Sequence, residues 1–341
     1  MHLLHTRLVL LTFTLLIALA AACGEDKPTS LTLVTHESFD VIKALVEEFE
    51  NKHNVTVTFI AAGDANEVVN RAILNAGNPE GDILFGIDNL NFHGAVEAGV
   101  FSEFRAKRRN EIATDILDQF GDSLLLTPID FGYVNLNVDA AAGEPPQTLE
   151  ELIEPQWRSK LVVEDPGRSS PGLQFLATTV AYFGEGDWQD YWRALRGNDV
   201  AIASGWSEAY YSHFSLYDGD RPIVVSYTTS PAAEVFFAEG AITEPPTLNI
   251  IPSPLFRQVE AAGILAGSKN KELAGKFIDF MLSDGFQRQI PETMFVYPVI
   301  DGIETPEFWR WAQVSIEPAR LESSADEITR WIREWTEIML R

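Results

Sequence analysis

The chain has 341 residues, 46% hydrophobic and 22% charged, which suits about two globular domains. Its 50 acidic against 25 basic residues give a formal net charge of −25, leaving no basic stripe for phosphates and arguing against nucleic acid as a partner. The single cysteine, Cys23, lies ahead of the body of the chain, which excludes a disulfide framework and a thiol nucleophile within the fold.

Met1–Arg7 carries one Arg and two His, residues 8–19 are apolar, and Ala20-Ala21-Ala22 precedes Cys23. A charged region, an apolar region and a small-residue cleavage site read as a signal peptide over 1–22. The apolar run is too short to span a bilayer comfortably. Cys23 sits where a lipoprotein signal peptidase would leave it as the new N-terminus, so it is the candidate lipidation site, with residues 23–30 as a tether. One acylated terminus anchors a protein to a membrane without crossing it.

The body opens with a predicted strand over residues 31–35 and a helix capped by Ser38, with apolar residues at helical spacing from Val41 to Phe49. A strand over 55–60, a helix capped by Asp64 and reaching about Ala76, and a buried strand over 82–85 complete a β-α-β-α-β run. That alternation predicts a parallel sheet with helices on both faces. Residues 124–129 and 132–138 read as extended and carry the chain into a second lobe. Thr148-x-x-Glu151 reads as a capping box opening a helix. Strands over 161–163, 200–204 and 223–227 each lead into a helix start, at Ser170, Ser207 and Ser230. Strands over 248–251 and 260–266 return the chain. An amphipathic helix over 271–282, an extended segment over 294–298 and a C-terminal helix carrying Trp331 and Trp335 on its apolar face finish it.

The expected fold class is therefore α/β in two lobes. Lobe 1 is read as 31–130 plus 253–298, and lobe 2 as 131–252 plus 299–341.

Gly205–Pro231 gathers Trp206, several Tyr and many hydroxyls around one strand and two helix starts. Ser230-Pro231 reads as an N-cap followed by proline at the first helical position. Ligands of open α/β sheets bind at the carboxyl ends of strands. Trp206 and Tyr227 can stack there on a flat, cationic ligand. Tyr210 and Tyr211 suit either the core or the ligand. No phosphate-binding glycine loop, zinc motif or nucleophile elbow is found, so no catalytic residue is assigned. The reading is a binding protein without cofactor or metal.

Several runs carry a resemblance to a known family. The more specific are Gly205-Trp-Ser-Glu-Ala-Tyr210 and Ser226-Tyr-Thr-Thr-Ser-Pro231. They are joined by Leu84-Phe-Gly-Ile-Asp-Asn89, Pro128-Ile-Asp-Phe-Gly-Tyr133, Ser169-Ser-Pro-Gly-Leu173 and shorter runs in the same order. In these the chain resembles the thiamine-binding, substrate-delivering components of bacterial ABC importers.

The resemblance implies a type II periplasmic-binding-protein fold, two α/β lobes joined by crossing strands with the ligand between them. It places the ligand on Asp64 with Ala65, on Ser169 with Ser170, on Trp206, and on Tyr227, Thr228, Thr229, Ser230 and Pro231. It also implies an extracytoplasmic, lipid-anchored monomer that delivers thiamine to a membrane permease. Chemically, aromatic faces suit the rings, Asp64 the cation and the exocyclic amine, and Ser169 and Ser170 the hydroxyethyl tail or a phosphate.

His36 stands where the family has Tyr, Phe295 where it has Trp, and Ala233 where it has a further aromatic. A protonated His36 would repel the cation, so weaker binding is expected below about pH 6. The alternatives are a ferric-ion binder using Tyr210-Tyr211 and, further off, a thiamine-degrading or pyrimidine-forming enzyme on the same fold.

Overall fold

The structure, a computed structural model, describes residues 29–121, 123–250, 255–312, 314 and 323–341. The signal peptide, Cys23 and nearly all of the tether lie outside the described residues.

The first half runs β1 (Thr29–Thr35), α1 (Lys43–His53), β2 (Val55–Ala61), α2 (Ala65–Leu74), β3 (Ile83–Asp88), α3 (Phe92–Glu97) and β4 (Phe101–Ser102). After a short α4 (Thr114–Leu117) comes β5 (Thr127–Asp139), then β6 (Leu161–Glu164), α5 (Ser170–Phe183), α6 (Trp188–Gly197), β7 (Ala201–Ala203) and a single turn, α7 (Trp206–Glu208). The chain closes with β8 (Ile223–Tyr227), α8 (Ser230–Phe237), β9 (Thr247–Ile250), β10 (Arg257–Leu265), α9 (Lys271–Met281), α10 (Asp284–Thr293), β11 (Tyr297–Pro298) and α11 (Ala325–Met339).

The main sheet has the order β2-β1-β3-β10-β5-β8-β6-β7. β1 is parallel to β2 and β3, and β6 is parallel to β7 and β8. β5 joins these halves. Its residues up to Tyr133 pair antiparallel with β10, and those from Val134 pair with β8 and β9. Two hydrophobic cores flank this strand. One gathers Leu33, Phe85, Ile264, Phe277 and Phe286; the other gathers Leu136, Phe175, Trp192, Val225 and Trp335. These are the two lobes.

Local chemistry accounts for most element starts. Asp64 and Glu67 form a full capping box on α2, and Ser324 and Glu327 do the same on α11. Trp331 and Trp335 are buried, as expected for the apolar face of α11. Other starts differ from the sequence reading. α1 begins at Lys43 with Ile42 as N-cap, not at Ser38, and the Ile42 N–H donates to Gln289 Oε1 at 2.8 Å. Thr148 and Glu151 enclose a 3₁₀ turn instead of an α-helix. Thr229, not Ser230, caps α8, so Ser230 and Pro231 are its first two residues. Residues 127–139 form one unbroken strand, and the expected extended segment over 294–298 narrows to Tyr297–Pro298. α3, α4, α6 and α10 have no counterpart in the sequence reading.

Candidate functional site

A cavity opens between the lobes, with about 100 Å³ open to the centres of water-sized molecules. It collects nine of the twelve residues singled out from sequence: His36, Asp64, Ala65, Ser170, Trp206, Tyr227, Thr229, Ser230 and Phe295. Ser169, Thr228 and Pro231 lie behind this lining, and all three are buried. Ser169 ends the loop before α5, and its carbonyl accepts from Asn66 Nδ2 at 3.2 Å. The Thr228 N–H donates to the Tyr133 carbonyl at 2.9 Å, which fixes the end of β8 to β5.

Trp206 forms the aromatic wall. Its indole Nε1 donates to Ser226 Oγ at 2.8 Å, and the Tyr210 ring stacks on it, centroids 5.1 Å apart and 20° from parallel. Both restraints hold the indole at the cavity while Trp206 stays half-buried. Tyr210 itself is buried, and its hydroxyl donates to Glu234 Oε1 at 2.7 Å. Tyr211 is exposed and, with Tyr217, continues the lining. Opposite, Tyr227 donates to Gln258 Oε1 at 3.3 Å. Phe295 has a left-handed backbone, φ 54°, which is rare for an aromatic residue and typical of a side chain held in place by its surroundings. Its ring lies against Phe236 and Phe237.

The lining is acidic. Asp64, Glu234 and Glu260 face the cavity, and among the described residues no lysine or arginine does. Burial pushes Glu234 and Glu260 up to about 7. Just behind, burial lifts Asp88 to about 6, although the Ser170 hydroxyl and two backbone amides donate to it. Asp130 stands opposite Glu260 in the β5–β10 register, and burial together with that neighbouring charge raises it strongly. Burial holds His36 neutral down to about 4. The pH 6 threshold expected for its protonation therefore moves to about pH 4.

The sequence reading missed Glu234, Glu260, Tyr217 and Phe237. The available signal was a single carboxylate inside an otherwise apolar run, as in Val259-Glu-Ala-Ala262 and Ala232-Ala-Glu-Val-Phe236. Such charges are seldom buried without a task.

Asp64 and its neighbours form one seam between the lobes. Asp64 Oδ1 accepts from its neighbour Ala65 N–H at 2.6 Å, and Oδ2 accepts from Trp206 N–H of the other lobe at 2.8 Å. Asn66 Nδ2 donates to the Pro166 carbonyl at 2.8 Å, and Arg168 pairs with Glu67 at 2.6 Å. Both oxygens of the Asp64 carboxylate are thus engaged by backbone amides.

This architecture has known counterparts. The bacterial extracellular solute-binding protein family matches residues 34–288. The chain belongs to that family. The thiamine-binding periplasmic protein of Escherichia coli strain K12 is 30% identical over 96% of this chain and 98% of its own length. A solved periplasmic thiamin binding protein superposes with a TM-score of 0.79 at 27% identity, covering 93% of this chain and 98% of its own. Iron uptake protein A2 of Synechocystis sp. PCC 6803 is 27% identical over 70% of each chain. As a member of the solute-binding family, the chain has the type II periplasmic-binding-protein fold, and its homologues are transport proteins rather than enzymes. Among the described residues, no group of three or more His, Cys, Asp or Glu is placed to hold a metal, and no helix is long and apolar enough to cross a membrane.

Proposed function

We propose that this protein captures thiamine in the interlobe cavity without altering it and hands it to the permease of an ABC importer. The observation that carries the reading is the pairing of the Trp206 face with three carboxylates and, among the described residues, no lysine or arginine in one lining. A flat, positively charged heterocycle satisfies both halves of that wall. The likeness to thiamine-binding proteins over almost the full chain supports the same ligand. In this reading Trp206, Tyr227, Phe295 and His36 enclose the rings, Asp64 with Ala65 closes the junction, and Ser170, Thr229 and Ser230 face the tail. Ser169, Thr228 and Pro231 support that face from behind.

The acidic lining favours thiamine over its mono- and diphosphate. The start of α5, a natural anion site, already has the Asp88 carboxylate on Ser170. The ferric alternative is disfavoured because burial and Glu234 raise Tyr210 well above the usual phenol range, so the phenolate that iron needs is costly. We take the lobes as 31–130 with 253–298 and 131–252 with 299–341, β5 passing between them. We also take the mature protein as a monomer anchored outside the cytoplasmic membrane by a lipid on Cys23.

Isothermal titration of the mature protein with thiamine, its two phosphates and ferric ion tests the reading. The expected order is thiamine first, the phosphates weaker and iron absent. Heat from iron alone would reverse it.

A further inference from the structure

The carboxylate that sequence reasoning gave to the ligand's amine, Asp64, has both oxygens taken by backbone amides. Each oxygen keeps one lone pair, and other groups on the wall can share the hydrogen-bonding edge of the heterocycle. Two polar groups on the first lobe's wall are unassigned. His36 is buried yet lines the cavity, and its Nε2 has no hydrogen-bond partner among the described residues. Glu260 is buried beside it, with Oε1 3.7 Å from that nitrogen, too far for a hydrogen bond. The imidazole keeps its place because Gly86 has no side chain; a Cβ there would collide with the ring. The Phe85 ring, centroid 5.6 Å away, supports it from behind. An unpartnered buried nitrogen beside a buried carboxyl is costly unless something bridges them.

Resting on the thiamine reading above, we propose that His36 and Glu260 are specificity-determining residues that together read the amine-bearing edge of the ligand's pyrimidine, with Asp130 as a positioning residue behind Glu260. Asp130 and Glu260 face each other across paired strands. Two buried carboxylates set opposite each other on paired strands resist ionising together, so one proton stays with the pair. Burial and the neighbouring Glu260 charge both raise Asp130. Once ionised, Glu260 is a pure acceptor toward the cavity, which suits an amine and repels a carbonyl oxygen. Neutral His36 offers one further hydrogen bond to the same edge. The groups around Glu260 are Asp130 across the sheet, Gln258 on its own strand, His36 beside it, and the Asp64 and Asp88 charges nearby.

The test is calorimetric titration with thiamine and with oxythiamine, in which an oxygen replaces the exocyclic amine. The parent should prefer thiamine by on the order of 10- to 100-fold, the span of one charged hydrogen bond. Glu260→Gln should bring the two ligands toward parity, and His36→Phe should weaken thiamine while leaving stacking intact. Asp130→Asn should shift the pH midpoint of thiamine binding upward, because an amide is a weaker donor to ionised Glu260 than the carboxylic acid that lowers it. A merely structural role would not move that midpoint. A parent that binds thiamine, with its preference preserved in Glu260→Gln, overturns this inference alone. A parent that binds no thiamine overturns the proposed function and the inference with it. If Glu260→Gln fails to fold, the decision passes to His36→Phe and the Asp130→Asn pH profile; unchanged affinity and midpoint there overturn the inference.

Discussion

The Asp64 carboxylate reaches across the cleft and accepts the backbone N–H of Trp206 at 2.8 Å, so the cap of α2 in one lobe also holds the start of α7 in the other. Gly205 makes this approach possible, since a Cβ there would lie 2.6 Å from Asp64 Oδ2. Its φ of −166° is ordinary extended backbone, so Ala fits locally and clashes only across the seam. Gly205→Ala should therefore leave the melting temperature nearly unchanged while holding the lobes apart. Losing one charge-assisted hydrogen bond costs the closed form about 1–3 kcal/mol. Small-angle scattering in saturating thiamine should give a larger radius of gyration than for the parent. Equal radii would remove the seam from the closure account.

Trp206 supplies its face to the cavity while Ser226 and Tyr210 fix its edge and its other face. Trp206→Ala should cost about 1–3 kcal/mol of thiamine binding through the lost stacking surface. Trp206→Phe should recover part of it. The two affinities from one titration series decide whether the ring or merely its bulk matters.

The pH dependence follows from the buried acids, Glu234, Glu260 and Asp88 among them, and from one buried base, His36. Glu234 and Glu260 stand at about 7 against an ordinary 4.5, and Asp88 at about 6 against 3.8. The folded protein thus keeps protons that the unfolded chain has already lost, so stability falls as pH rises through that interval. For Glu234 alone the difference is on the order of 3 kcal/mol. His36 has the opposite sense: its folded value of about 4 lies below 6.5, so its contribution is lost as pH falls toward 4. The acids outweigh the one base, so the ligand-free melting temperature should drop between about pH 5 and about pH 7. Thiamine affinity should rise over the same range as the carboxylates ionise. Thermal scans across that range, with and without thiamine, check both directions.

The element order and much of the cavity were legible because their signals are local. Apolar periodicity marks β1 to β3, an Asp64 cap marks α2, and Ser-Pro marks the start of α8. The chain position of Trp206 among Gly and Ser likewise pointed to an opening. What escaped depends on contacts between distant residues. Ser38 is a good cap by composition, but the start of α1 is set by Gln289, 247 residues away. Asp64 lines the cavity as expected, but its second bond, to the other lobe's backbone, has no signal in the chain. Glu260 and Asp130 become a pair only through β5–β10 pairing, which no spacing in the chain foretells.

Cys23 carries the anchoring proposal. Cells expressing the protein should incorporate labelled fatty acid into it, and Cys23→Ser should abolish incorporation and release the protein from the membrane fraction. Label retained in Cys23→Ser would place the anchor elsewhere.

β5 also bears on how the molecule comes apart. Its thirteen residues hydrogen-bond to β10 at one end and to β8 and β9 at the other, so both hydrophobic cores hang on one backbone. Melting either half strips partners from the strand that the other half needs. Two such bodies on a soft linker would denature separately; here the calorimeter should record one peak, with equal van't Hoff and calorimetric enthalpies. The strand that joins the halves is thus the part that makes them fail together.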